Sequence, residues 1–426
     1  DRRPHHDGRH VERRGCNDRP SIGERERDLY DRRDDRSHDP RRNHDRRDRR
    51  GEGQPQHSDR RLSPPMRGAG SRDERHTSAA GGQLDAKQLS GHISHASGAD
   101  ELLRLFAAHS ANLDHIHAAN LWNKLGKQRI ERRHEGRLEQ LVQRTLDLVS
   151  SCRARELANV SHGVAKCGLQ ARMVHPLFVA VAEAAVRSGL DGFIPQNLAM
   201  TVWSYATAGV AADALYAAVA EAAVRGGLAG FNPQDLANTV WAYATADYYH
   251  QALLADCSRV ISDSLARDPW RWSEEVRSQL HQWQLWLSLE RGADGQQHLL
   301  CESQRELCCD AMQGTEVTIS RLQRSVAAAL AAVQHGFEEE HLEPRTGYSL
   351  DLALPSSRVA VEVDGPSHFL LPDGRGVRKP NGPTLLKRRL LAAAGWRVIS
   401  VPFYEWDGFA TANGQQTYLE RAAAPL

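Results

Sequence analysis

The feature that most restricts the fold of this chain is an internal repeat of 38 residues. The segment FIPQNLAMTVWSYATAGV begins at Phe193 and returns as FNPQDLANTVWAYATADY from Phe231. Proline, tryptophan and tyrosine keep their places in both copies. A single short unit cannot bury its own apolar face, whereas stacked units share a continuous core. The repeat therefore predicts an α-solenoid.

Each repeat unit is predicted to be a hairpin of two helices. Pro195 and Pro233 suit the first turn of a helix, where a missing N–H costs nothing. The second helix is expected to start at Asp213 and to stop at the Gly226–Gly227 pair. Weaker copies are predicted at residues 118–127 and 156–169, and residues 278–289 are expected to close the array.

The N-terminal segment has a composition that cannot build a core. Residues 1–61 hold 19 arginines, 15 acidic residues and no lysine. Because apolar side chains are almost absent, burial cannot offset the entropy lost on ordering. We predict a disordered Arg-rich tail over residues 1–98, which is either a solvated spacer or a contact for RNA phosphates and bases. The chain starts with Asp, so we expect a processed or incomplete chain in which a targeting peptide is not visible.

The C-terminal part is predicted to be a small α/β domain. A helix near residues 319–334 precedes GYSLDLAL and VAVEVDG, which read as two strands of a β-hairpin joined by PSSR. Pairing apolar with apolar places Leu352 opposite Val361. In that register Asp351 faces Glu362, and Asp364 follows on the same side. A helix and a strand near residues 383–401 complete the predicted domain.

The three carboxylates on one face of this hairpin require an explanation. An isolated carboxylate away from water is costly, so each needs water, a cation or a partner. Between Arg375 and Arg397 the chain carries seven Lys or Arg and no acid, which predicts a surface for an RNA backbone. The candidate RNA-binding residues in this region are Arg375, Arg378, Lys379, Lys387, Arg388, Arg389 and the nearby His368.

The repeats resemble a known family. The PQ-x-LA-x-TVW-x-YATA pattern at period 38 resembles the octotricopeptide repeat of algal organelle RNA factors and the FAST-kinase-like leucine-rich region. The resemblance covers roughly residues 112–290 and implies RNA binding along the solenoid. Polar positions of the first helices are then candidates for base contacts, the alternative being a merely solvated face. These positions are Asn197, Thr201, Asn238 and Thr239.

The nearly balanced charge of the solenoid limits how strongly the repeats attract a phosphate backbone. Residues 151–250 carry six basic and seven acidic side chains, so the repeat core attracts no phosphate by itself. Trp203 and Trp241 are expected in the core between repeats. Residues 121–144 hold seven Lys or Arg against three Glu, and we expect a basic helix there that contacts phosphates.

The C-terminal domain closely resembles the RAP domain over about residues 317–420. The match rests on Asp351, on the motif E-x-D-G-P-x-H-F that begins at Glu362, and on a helix with Lys387 before a G-W-x-V strand. RAP domains are similar in layout to the PD-(D/E)xK nuclease core, in which strand acids hold a divalent metal that activates water. The resemblance implies three metal ligands suited to Mg²⁺, namely Asp351, Glu362 and Asp364, and a catalytic set that adds Lys387.

One position departs from the nuclease pattern. The lysine expected two residues after Glu362 is Asp364, and sequence spacing fixes no other cation beside the acids. A positive charge for phosphate chemistry would have to come from Lys387 or His368. The acids therefore form an active nuclease site, a remnant adapted to RNA contact, or a structural set paired with the basic run. We expect the remnant.

The sequence predicts a multidomain protein with four zones. These are the disordered tail (1–98), the α-solenoid (99–290), a linker (291–316) and the nuclease-like RAP domain (317–426). By resemblance, we expect a chloroplast or mitochondrial-matrix factor that binds single-stranded transcripts and acts in RNA processing, transcript stability or translation. The alternatives are a metal-dependent endonuclease and a scaffold that recruits other RNA-processing proteins. No membrane insertion is expected, because no apolar run is long enough.

Overall fold

A computed structural model describes residues 84–169, 171–314, 318–371 and 378–423. Within these ranges the chain forms 17 α-helices and a four-stranded sheet. Most of the tail predicted for residues 1–98 lies outside the described residues. Its predicted end is too late, because the first helix already spans Ala86–His95. Asp85 caps that helix, and its residues Leu89 and Ile93 are buried.

Thirteen helices in the described residues precede the sheet domain. They are α1 (Ala86–His95), α2 (Ala99–His109), α3 (His115–Leu125), α4 (Glu135–Leu148), α5 (Ala154–Lys166), α6 (Ala171–Arg187), α7 (Pro195–Ala208), α8 (Asp213–Arg225), α9 (Pro233–Ala246), α10 (Gln251–Arg267), α11 (Glu274–Glu290), α12 (Gly292–Gln296) and α13 (Glu302–Gln313). The odd-numbered helices pack side by side in one layer, and α2, α4, α6, α8 and α10 form a second layer. This arrangement is a helical solenoid.

The repeat predicted from the sequence is confirmed in the helices. Helices α7 and α9 begin at Pro195 and Pro233, and each ends at a residue with positive φ, Gly209 and Asp247. Helix α8 stops at Arg225, directly before the predicted glycine pair. Tryptophan rings at equivalent positions lie buried between neighbouring repeats, with ring centroids 6.4 Å apart.

The odd-numbered helices, which form the first layer, pack so closely that the polar residues predicted to contact bases are not exposed. Asn197, Thr201, Asn238 and Thr239 are all buried. The two threonine hydroxyls donate to backbone carbonyl oxygens one turn earlier, at 2.7 Å in both helices. Small hydroxyl side chains that bond their own helix allow a neighbouring helix to approach. The prediction of base contacts at these four residues, and its alternative of a solvated face, are therefore wrong for the described structure.

Two further segments differ from the sequence prediction. Residues 291–316 were expected to be a linker, but α12 and α13 occupy most of it, and α13 packs against α11. The basic helix expected over residues 121–144 is two helices, because α3 ends at Leu125 and α4 begins at Glu135. Several of its arginines already bind acids or carbonyl groups of α2 and the loop after it.

The C-terminal domain is built on one mixed sheet. Its elements are α14 (Arg321–Val333), β1 (Glu338–Leu342), β2 (Ser349–Leu354), β3 (Val359–Asp364), α15 (Gly382–Ala393), β4 (Arg397–Pro402), α16 (Phe403–Trp406) and α17 (Ala412–Ala423). The strands lie in the order β1-β2-β3-β4; the first three are antiparallel and β4 is parallel to β3. The predicted register of Leu352 opposite Val361 is confirmed, whereas β1 was not predicted.

The two faces of the sheet have different chemistry. On one face, Val361 and Val363 share an apolar core with residues of α14 and α17. On the other face, Glu362 and Asp364 point to α15 and are buried. Helix α15 also lies against α7, α9 and α11, so it joins the sheet to the solenoid. None of the described helices has both the length and the apolar character needed to cross a bilayer.

Candidate nucleic-acid interface

The candidate site lies where the two parallel strands end. The last residue of β3, Asp364, is paired with the last residue of β4, Pro402. The segment that leads to His368 and Phe369 follows β3, and α16 follows β4. In sheets with parallel strands, ligands bind in the crevice outside the carboxyl ends. We call this edge, with the adjacent start of α15, the carboxyl edge.

A lysine from α15 occupies the place of the cation that the strand lacks. Lys387 Nζ lies 2.5 Å from Glu362 Oε2 and donates to the carbonyl oxygen of Ser349 at 3.0 Å. Sequence spacing fixes no cation beside the acids, and of the two residues named as possible sources of the charge, Lys387 supplies it beside Glu362. In the structure Lys387 lies one turn after the buried Thr384, on the helix face turned to the sheet, and the sequence alone does not fix which face that is.

Asp364 is held by three side chains. Its Oδ2 accepts from Arg388 Nη2 at 2.6 Å and from Ser400 Oγ at 2.5 Å. His368 Nδ1 lies 3.2 Å from Oδ1. Buried carboxylates are tolerated when charge and hydrogen bonds are both satisfied, and Asp364 meets this condition.

The pKa values of this cluster follow from its burial and its charges. Burial raises the pKa of Glu362 to about 7, although Lys387 opposes the shift. Burial likewise raises the pKa of Asp351. For Lys387, burial favours the neutral amine, but Glu362 and Asp351 outweigh it, and its pKa is raised. Burial lowers the pKa of His368 against the pull of Asp364.

The three acids do not fit a shared metal ion in this arrangement. Asp351 Oδ2 accepts from the Val363 N–H at 2.6 Å, and the oxygens of Asp364 are engaged as described. Glu362 Oε1 is buried without a hydrogen-bond partner among the described residues, but Lys387 holds its other oxygen. No group of three His, Cys, Asp or Glu among the described residues could hold a metal. The predicted Mg²⁺ site is therefore not formed, and we derive no metal-dependent step.

The basic residues expected to form an RNA surface divide into two groups. Lys387, Arg388 and Arg389 are partly buried and paired with acids, and Arg389 pairs with Glu290 of the solenoid at 2.8 Å. These three residues were predicted to be open phosphate contacts. That prediction is wrong for the described structure, because each of them forms an ion pair with an acid of the sheet or of α11. Arg375 lies outside the described residues.

A surface of two basic side chains, Arg378 and Lys379, together with the His368 imidazole and two aromatic rings, remains open at the carboxyl edge. Lys379 is exposed, and the His368 side chain is 42% exposed. The Arg378 guanidinium lies 4.6 Å from the ring centroid of Phe403 and 5.5 Å from that of Tyr404. Neither ring was assigned a role from the sequence. Their position directly after the second parallel strand, where ligands bind in such sheets, could have indicated one.

Fold and site together define a helical-repeat protein with a C-terminal α/β domain whose carboxyl edge is cationic. Residues 361–422 match the family model of the RAP domain, so the chain contains a RAP domain. Residues 88–220 match the model described as "Tbc2 translation factor, N-terminal domain".

A curated relative matches part of the chain. The "RAP domain-containing protein, chloroplastic" of Oryza sativa subsp. japonica is 36% identical over 102 residues. This match covers 24% of the chain and 15% of the relative's length.

Proposed function

We propose that this protein is a chloroplast RNA-binding factor that acts in the processing, stability or translation of transcripts. The observation that carries the proposal is the open surface of Arg378, Lys379 and His368 at the carboxyl edge of a RAP domain. The chloroplastic relative supports the compartment. The Tbc2-type match over residues 88–220 favours translation among the three steps.

Charge and burial indicate different roles for the solenoid and the RAP domain. The solenoid core carries nearly balanced charge, and its inner polar side chains are buried. A phosphate backbone is attracted by unpaired cations, so the RAP domain provides the main contact. The repeats support and orient that domain, and sequence selectivity is therefore weak.

Crosslinking in chloroplasts tests this proposal. The protein is irradiated with its bound RNA, and both the RNA footprints and the crosslinked peptides are sequenced. We expect chloroplast transcripts, with crosslinks concentrated in the peptides around Arg378 and Tyr404. Recovery of protein partners without RNA would instead support a scaffold that recruits RNA enzymes.

A second candidate is the metal-dependent endonuclease, and one contact favours it. Lys387 supplies a cation beside Glu362, which is the charge that the strand motif lacks. Asp351, Glu362 and Asp364 bind different partners, which opposes a metal ion shared by all three. We therefore expect no cleavage of RNA or DNA with Mg²⁺ or Mn²⁺. Cleavage by the wild type that Glu362→Gln abolishes, with RNA binding retained, would reverse this ranking.

A further inference from the structure

We propose that Arg378, Phe403 and Tyr404 form a platform on which one unpaired nucleobase stacks. The inference rests on the proposed RNA binding and deepens it, because it assigns a base contact in addition to the phosphate contact. Guanidinium planes and aromatic rings are the groups on which single-stranded bases stack without reading their edges.

The contacts that Tyr404 makes with the two phenylalanine rings are edge to face. Phe403 and Tyr404 meet edge to face at 5.6 Å and 85°, and Phe369 meets Tyr404 at 5.3 Å and 76°. Edge-to-face contacts do not use both faces of each ring. All three platform side chains are half-buried rather than buried, unlike a core cluster.

Backbone pairing and a buried tryptophan position the two aromatic residues of the platform. Phe403 follows Pro402, whose pairing with Asp364 fixes the end of β4. Trp406 anchors the short helix α16, because its ring is buried in the sheet core and its Nε1 donates to Ser325 Oγ at 3.1 Å. A site whose side chains are fixed in advance loses less entropy on binding.

The surroundings suit a nucleotide rather than an uncharged aromatic ligand. Exposed Lys379 is the chain neighbour of Arg378, so a cation for the adjoining phosphate lies beside the platform. The closest acid in sequence, Glu405, accepts from the Tyr418 hydroxyl at 2.9 Å. Asp364 is neutralised by Arg388. Arg378 and Lys379 thus place two positive charges at this edge against the one exposed carboxylate of Glu405, so a phosphate can bind here while one base lies on the rings.

The test compares two fluorescent oligomers of equal length and charge, single-stranded RNA and a ribose-phosphate backbone without bases. We expect the wild-type protein to bind RNA at least about tenfold more tightly than the abasic oligomer. The variants Phe403→Leu and Tyr404→Leu should each lose most of that preference and keep their affinity for the abasic oligomer. Arg378→Lys retains the charge and leaves the rings intact but removes the guanidinium plane. It should therefore also lower the preference for RNA over the abasic oligomer.

Tyr249→Leu is the matched control, because Tyr249 also lies near an arginine, Arg291, at 5.9 Å, but in the solenoid. It should leave the preference for RNA unchanged. A wild-type protein that binds both oligomers equally would overturn the platform while leaving RNA binding in place. A wild-type protein that binds neither oligomer would overturn the proposed function itself.

Discussion

Glu362 shows how the sequence can place one residue and name a candidate cation for it without fixing the contact between them. Alternation along β3 places the carboxylate on the polar face, and the register with β2 is local information. Its cation, Lys387, comes from a helix that the sequence predicts but whose rotation against the sheet it does not fix. The rotation is set by packing on the solenoid, which no short pattern encodes.

Stability should depend on pH through Glu362. Its pKa is raised from 4.5 to about 7, so between these values the folded protein binds more protons than the unfolded chain. The free energy of unfolding of the wild type therefore falls as the pH rises through this window. The variant Glu362→Gln has no titrating carboxyl at this position, so the free energy of unfolding of the variant should fall less over the same pH range. Urea unfolding at several pH values measures the difference; parallel curves would contradict the assignment.

At the scale of helices and strands, the sequence predicts features that depend on local signals, and it misses those that depend on how closely neighbouring elements pack. The 38-residue period, the helix starts at Pro195 and Pro233 and the hairpin of β2 and β3 were all predictable, because each depends on local signals. Strand β1 was not, since its sequence EEEHL lacks apolar alternation and it is formed by pairing with β2. The burial of Asn197 and Asn238 was also missed, because it depends on how near adjacent helices lie.

Gly163 of α5 tests the close approach of neighbouring first-layer helices. A Cβ at this position would overlap the carbonyl oxygen of Trp122 in α3. We expect Gly163→Ala to lower the free energy of unfolding by about 1–3 kcal/mol, because the helices must separate. Gly136→Ala in α4 is the control: a Cβ there meets no atom within 4 Å. It should be neutral or stabilise by up to about 1 kcal/mol. Thermal and urea unfolding compare the two variants; equal effects would contradict the packing argument.

Arg389 tests the docking of α15 on the solenoid. Its guanidinium binds Glu290 and donates to the carbonyl oxygens of Ala244 and Thr245 at the end of α9. Arg389→Ala removes these charged hydrogen bonds, and we expect a loss of about 2 kcal/mol together with faster amide exchange in α15. Arg225→Ala breaks only an exposed pair with Glu221 at 3.9 Å and should change stability by less than about 0.5 kcal/mol. Unchanged exchange in α15 after Arg389→Ala would show that other contacts hold the domain.

At the scale of the whole molecule, docking joins the solenoid and the RAP domain into one unit. Helix α15 uses one face for the acids of the sheet and another for the ends of α9 and α11. A Cβ at Gly382 would overlap the carbonyl oxygen of Ala206 at the end of α7, so the domain also sits close to the preceding repeat. The paired basic residues hold this assembly, and the carboxyl edge stays open for the proposed contact with RNA.

RNA affinity measured over a range of salt concentrations tests the central claim most directly. The double variant Arg378→Glu and Lys379→Glu should bind single-stranded RNA at least about tenfold more weakly, with a shallower dependence of log Kd on log salt. Arg187→Glu with Arg225→Glu makes the same change of charge on α6 and α8, where both side chains are exposed. This control should bind nearly as the wild type does. Equal losses in the two double variants, or no loss at the carboxyl edge, would contradict the account.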